Sequence, residues 1–102
     1  MRRAAKVDAN QQEIVDALRA AGAKVQSLAS VGDGVPDLLV GYNHRLVLLE
    51  VKGSKQKRYR GMLTEAEARW HDEWEGYPVH IVRSVIDALE AVNITWDVNR
   101  EL

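Results

Sequence analysis

The spacing of apolar residues along the chain changes period several times. Between Asp8 and Ala21, the residues Ile14, Val15, Leu18 and Ala21 recur at helical intervals, with Asp8 placed to cap the start and Gly22 to close the end. Ala23–Ser30 alternates weakly and reads as a first strand. The stretch VGDGVPD is a loop by its glycines and proline. Two denser apolar runs follow, DLLVGY and RLVLLEVK, separated by Asn43-His44. That dipeptide predicts a tight hairpin, because Asn tolerates the left-handed backbone such a turn requires. Thr64 and Glu67 then form a capping-box pattern with Leu63 just outside it, and Ala66, Trp70 and Trp74 continue a helix to Gly76. Pro78–Ser84 reads as a further strand, and Ser84 can cap a last helix carrying Val85, Leu89 and Val92. The remaining residues, 93–102, are a polar tail. The order helix, three strands, helix, strand, helix predicts an α/β fold, with a central mixed β-sheet flanked by helices.

Composition narrows the possibilities without naming a function. A chain of 102 residues, 46% hydrophobic and 28% charged, is expected to form one domain, residues 1–102, with its core at about 8–92. No apolar run approaches the roughly 20 residues needed to span a bilayer, and no charged-then-apolar leader opens the chain. The absence of cysteine removes disulfides and thiolate metal sites, and fits a reducing cytoplasm. With a net charge of −1, any attraction to nucleic acid has to be local.

The hairpin supplies such a locality. Side chains alternate across a strand, so Leu46, Leu48, Glu50 and Lys52 share one face of the second hairpin strand. With Asn43-His44 as the turn, Leu39 opposes Leu48 and Asp37 opposes Glu50, with Cβ atoms roughly 5 Å apart. Two carboxylates so placed repel each other. Both strands are apolar on both faces, so burial is expected to sharpen the conflict. A divalent cation resolves it, since Mg²⁺ takes one or two carboxylates together with water and phosphate. Lys52 would then stand beside the metal, able to orient water or stabilise charge on phosphate. The same spacing is equally that of a plain ion pair at a frayed strand end. Lys52, Lys55, Lys57, Arg58 and Arg60, with Tyr59 among them, crowd an acid-free stretch just beyond the acids. Alone that is a solvated loop; beside paired acids it suits phosphate binding.

At Gly34-Val35-Pro36-Asp37 followed by Glu50-Val51-Lys52, the chain resembles the PD-(D/E)xK nuclease superfamily. More narrowly, it is similar to the VRR-NUC (virus-type replication-repair nuclease) domains, many of them small stand-alone phage or bacterial proteins. GVPDLLV, LLEVKG, LTEAEARW and VHIVRSVIDAL follow one another in the order and spacing of that family, and the resemblance runs from about Ala9 to Val92. It implies a metal-dependent phosphodiesterase on a restriction-endonuclease-like core. Asp37 and Glu50 would bind Mg²⁺ or Mn²⁺, the Val51 carbonyl would be a further ligand, and Lys52 would be the catalytic lysine. Glu13 matches the family's acid on the first helix. One departure stands out: the family commonly has Gln where this chain has Glu67, which either closes the capping box or adds negative charge near the metals.

The resemblance therefore implies a Mg²⁺-dependent endodeoxyribonuclease, a hydrolase acting on ester bonds, with branched DNA such as Holliday junctions as the preferred substrate guess. The alternative is a DNA-binding module that does not cut. Cutting both strands needs two active sites, so a homodimer is expected, with no membrane partner and no small-molecule cofactor. His44, His71 and His80 lack short metal spacing and read as surface or satisfied core residues. Trp70 and Trp74 read as core or subunit interface, and Asp33 as a turn former.

Overall fold

The computed structural model describes residues 9–53 and 62–94. Helix α1 (Ala9–Ala20) turns its Ile14, Val15 and Leu18 into the core. It ends at Gly22, whose φ of +100° lets the Ala23 N–H reach Leu18 O at 3.0 Å and the Gly22 N–H reach Arg19 O at 3.0 Å. These are the two bonds of a Schellman closure. The expected cap Asp8 lies outside the described residues.

Strands β1 (Lys24–Ser27), β2 (Leu38–Tyr42) and β3 (Arg45–Val51) form an antiparallel meander, joined in parallel by β4 (Val79–Val82) in the order β1-β2-β3-β4. The first strand is shorter than the Ala23–Ser30 run suggests, because the chain turns at Leu28–Val31 through a 3.0 Å bond from the Val31 N–H to Leu28 O. The parallel pair is bridged by helix α2 (Glu65–Glu73), and helix α3 (Val85–Ala91) follows β4, its Ser84 Oγ accepting from the Asp87 N–H at 3.1 Å. The fold is α/β, a mixed four-stranded sheet with three helices.

Asn43 and His44 both adopt positive φ, +54° and +66°, and set Leu39 opposite Leu48 and Leu38 opposite Leu49. Paired φ > 0 residues match the twist of the flanking strands, so this short turn fixes the register. One face of the sheet carries Leu38, Val40, Val47, Leu49, Val51 and Val82 into a core with Ile14 and Leu18 of α1 and Ala88 and Leu89 of α3. The other face carries Leu39, Leu46, Leu48, Glu50 and Ile81, and here the expectation of a sheet buried on both faces fails. Leu46 is 64% exposed and Ile81 42% exposed. Helix α2 lies on this side and covers it only near Glu50; none of its residues is buried.

What brings α2 close is a bare backbone. Gly34, at φ +84°, passes so near the helix start that a Cβ there would collide with the Ala66 carbonyl and come within 3.0 Å of the Glu67 nitrogen. Gly34→Ala is therefore expected to destabilise by at least ~1 kcal/mol from backbone strain alone. Strain of that size lowers Tm by roughly 4–8 °C, and thermal denaturation should show Gly34→Ala falling further than Gly32→Ala, which is similarly strained but meets nothing within 4 Å.

Candidate active site

Asp37 immediately precedes β2 and continues its register: its carbonyl accepts from the Leu28 N–H at 2.8 Å, holding the chain extended. Its side chain crosses to β3, where Oδ2 accepts from the Val51 N–H at 2.7 Å. In a strand the N–H and C=O of one residue point the same way, so the Val51 carbonyl is directed to the side occupied by Asp37. Glu50, one residue earlier, lies on the face covered by α2 and is 2% exposed. The two acids expected to oppose each other are thus brought together at the mouth of the hairpin.

Their proximity has a measurable electrostatic consequence. Burial, followed by the charges of Asp37 and Glu67 and a side-chain hydrogen bond with Asp37, pushes the Glu50 carboxyl up to about 9, with Lys52 opposing. Glu50 is therefore protonated near neutrality in the metal-free protein. The geometry alone would count Lys52 Nζ, 3.8 Å from Glu50 Oε2, as its ion-pair partner. A protonated carboxyl gives that pair little strength, and the lysine is engaged elsewhere: Nζ lies 2.8 Å from Glu67 Oε1.

Glu67 accordingly does two things at once. Its Oε1 accepts from the Thr64 N–H at 2.8 Å, closing the capping box, and from Lys52 Nζ at 2.8 Å. Burial works to raise its pKa, but hydrogen bonds from Lys52 and Thr64 and the lysine's charge outweigh it and leave the carboxyl below its ordinary value. The alternative between capping and facing the site dissolves, because one oxygen serves both.

His71 is the residue the sequence reading passed over. It stands four residues after Glu67 on α2, the helical interval that puts both on one face. Its Nε2 lies 3.5 Å from Glu50 Oε1. Both atoms are buried and neither makes a hydrogen bond. Burial holds the imidazole below its usual pKa, the Glu67 charge opposing and the Lys52 charge adding. The interval from Glu67 was the signal available in the sequence.

Other expected residues fall elsewhere. Glu13 is exposed on α1 and is not among the groups acting on Glu50. It sits one turn beyond Asn10, whose Nδ2 donates to Lys52 O at 2.8 Å and ties the helix to the end of β3. Lys55, Lys57, Arg58 and Arg60 lie outside the described residues. His44 and His80 are exposed, as is Asp33, in a turn at φ +55°. Trp70 stacks on Trp74 with centroids 4.9 Å apart, but Trp74 is 42% exposed, so the pair is not core. A surface cleft of about 370 Å³ lined by Arg45, Pro78, His80 and Ala91 contains neither acid.

No family model, curated protein or solved structure matches this chain. The site therefore has to be judged on its own donors. Among the described residues no three His, Cys, Asp or Glu side chains form a metal-holding group. The set that converges is two carboxylates and a carbonyl. This all-oxygen set suits Mg²⁺ or Mn²⁺, which complete their shells with water and phosphate, and is poor for Zn²⁺. Two carboxyls crowded at a buried strand end, with burial and the Asp37 charge both raising Glu50, fit such an occupant.

Proposed function

We propose that the protein is a metal-dependent endonuclease of the VRR-NUC type, hydrolysing DNA phosphodiesters and preferring branched DNA such as Holliday junctions. The observation that carries this reading is the Asp37–Glu50 pair, two acids crowded at a buried strand end with Lys52 alongside. Asp37 and Glu50 would hold Mg²⁺ or Mn²⁺, with the Val51 carbonyl on the same side. When bound, the cation supplies a water of lowered pKa and positive charge against the phosphoryl oxygens.

The chain's own groups contribute the rest. Asp37 keeps its orientation through the Val51 N–H, which holds the carboxylate beside Glu50. Lys52 Nζ is held by Glu67 within reach of the acids, where an ammonium can orient a water or meet developing negative charge on phosphate. Glu67 tempers that charge without removing it, since Glu67 is itself half-covered and anchored to the cap. The basic residues Lys55, Lys57, Arg58 and Arg60, next along the chain, would hold flanking phosphates. Exposed Leu46, Ile81 and Trp74 support the homodimer that cutting two strands requires.

The test uses purified protein with labelled four-way junction and linear duplex, in Mg²⁺ or EDTA. Metal-dependent products, formed faster on the junction, are the expected outcome. Salt-sensitive binding without products in Mg²⁺ or Mn²⁺ would instead identify a non-cutting DNA-binding module. Charge reversal of Lys55, Lys57 and Arg58 together is expected to weaken junction binding and flatten its salt dependence by about one unit of log–log slope per lost phosphate contact.

A further inference from the structure

The reading of the acid pair as a metal site leaves one buried atom unaccounted for. Glu50 sits with its carboxyl 2% exposed, its Oε1 without a hydrogen bond and 3.5 Å from His71 Nε2, itself without one. Two buried polar atoms facing each other at that distance are costly unless one donates to the other. Around them, Lys52 is committed to Glu67 at 2.8 Å, Asp37 Oδ2 to the Val51 N–H at 2.7 Å, and Glu67 Oε1 to the Thr64 N–H at 2.8 Å. His71 Nε2 is the atom that faces Oε1, whereas Lys52 stands toward Oε2, at 3.8 Å.

We propose that His71 is a positioning residue for Glu50: as the neutral Nε2–H tautomer it donates to Oε1 and sets the rotation of the carboxylate, leaving Oε2 on the side of Lys52. This rests on the nuclease reading of the site. The ring also meets the Trp70 indole edge-on, at 5.7 Å and 71°. A carboxylate that holds a metal works best when its second oxygen is fixed by a neutral donor, because a donor restrains the rotation without competing for the cation. A neutral histidine, 3.5 Å from Oε1, meets that requirement; a lysine there would repel the cation. The role lies outside the four sequence blocks that carry the resemblance to known nucleases, since it depends on how α2 lies over β3.

Long-range ¹H–¹⁵N NMR of the protein in Mg²⁺, where the cation displaces the Glu50 proton, reads the tautomer directly, and Mn²⁺ titration followed by electron paramagnetic resonance reads the consequence. The expected results are an Nε2–H tautomer at His71 and Mn²⁺ binding that is lost in Asp37→Asn. His71→Phe should weaken that binding about 10-fold, and His71→Gln, whose amide reaches as far as Nε2, should restore most of it. An Nδ1–H tautomer, or His71→Phe binding Mn²⁺ as tightly as the unaltered protein, overturns the positioning role while leaving the nuclease reading intact. Electron-spin-echo coupling from a nitrogen bonded to Mn²⁺ also overturns it, since His71 would then be a ligand. Failure of the unaltered protein to bind Mn²⁺ at all removes both readings together.

Discussion

Asp37→Asn is expected to reduce Mg²⁺-dependent cleavage of a four-way junction by roughly 10³-fold while raising the melting temperature of the metal-free protein above pH about 9, where Glu50 is ionised. The two effects have one source. Asn retains an oxygen able to accept from the Val51 N–H, now 2.7 Å from Asp37 Oδ2, so the strand end keeps its shape. What disappears is the negative charge that repels Glu50 once it is ionised, above pH about 9 without a cation, and that attracts the cation when it is present. Relief of a like-charge contact worth about 1 kcal/mol raises Tm by roughly 4–8 °C. Gel assays of product formation and melting curves in EDTA above pH about 9 check the two halves. An Asn variant that cuts at the normal rate would take Asp37 out of the reaction.

In EDTA the protein is expected to lose stability as pH rises from 7 to 9, and Glu50→Gln is expected to be insensitive over that window. Glu50 is raised from 4.5 to about 9 on folding, so between those values the native state keeps a proton the unfolded chain has released. Stability from this group is complete below 4.5 and is lost as pH climbs toward 9, at a limiting slope of about 1.4 kcal/mol per pH unit. His71 acts in the opposite sense: its pKa is lowered on folding, so its contribution is present above 6.5 and lost below. Glu67, lowered from 4.5, is ionised in both states across the window. The range from 7 to 9 therefore isolates Glu50. Mg²⁺ should reduce the loss by displacing the proton, and urea unfolding at several pH values with EDTA or Mg²⁺ measures it. Equal slopes for the unaltered protein and Glu50→Gln would show that Glu50 does not carry the proton.

The parts of this fold that were legible in the sequence are those decided by local chemistry. Asn43-His44 announces its turn through backbone preference alone, and the register follows without knowledge of anything beyond the two strands. The Thr64 and Ser84 caps were readable for the same reason. The second face of the sheet was not. Leu46, Val47, Leu48 and Leu49 are all apolar, yet only Val47 and Leu49 belong to the buried core, and Leu46 on the other face is 64% exposed. An apolar residue left in water looks the same in a sequence as one in a core.

Within the site, Asp37, Glu50 and Lys52 were readable from strand alternation, whereas the double bond of Glu67 and the approach of His71 arise from packing between α2 and β3. Glu13 matches the family's acid by position alone; the helix turns Ile14 and Leu18 to the core, and Glu13 itself is exposed.

The Asn43-His44 turn governs an alignment it never touches. From it to Asp37 the ribbon runs six residues, on the order of 20 Å, and along that length each rung is locked to the next. Lengthening the turn while keeping every rung intact would merely enlarge a loop. Deleting or adding one residue within β2 itself would flip Asp37 to the opposite surface while leaving Glu50 in place. The chain thus tolerates variation at the tip of the ribbon and almost none along its shaft.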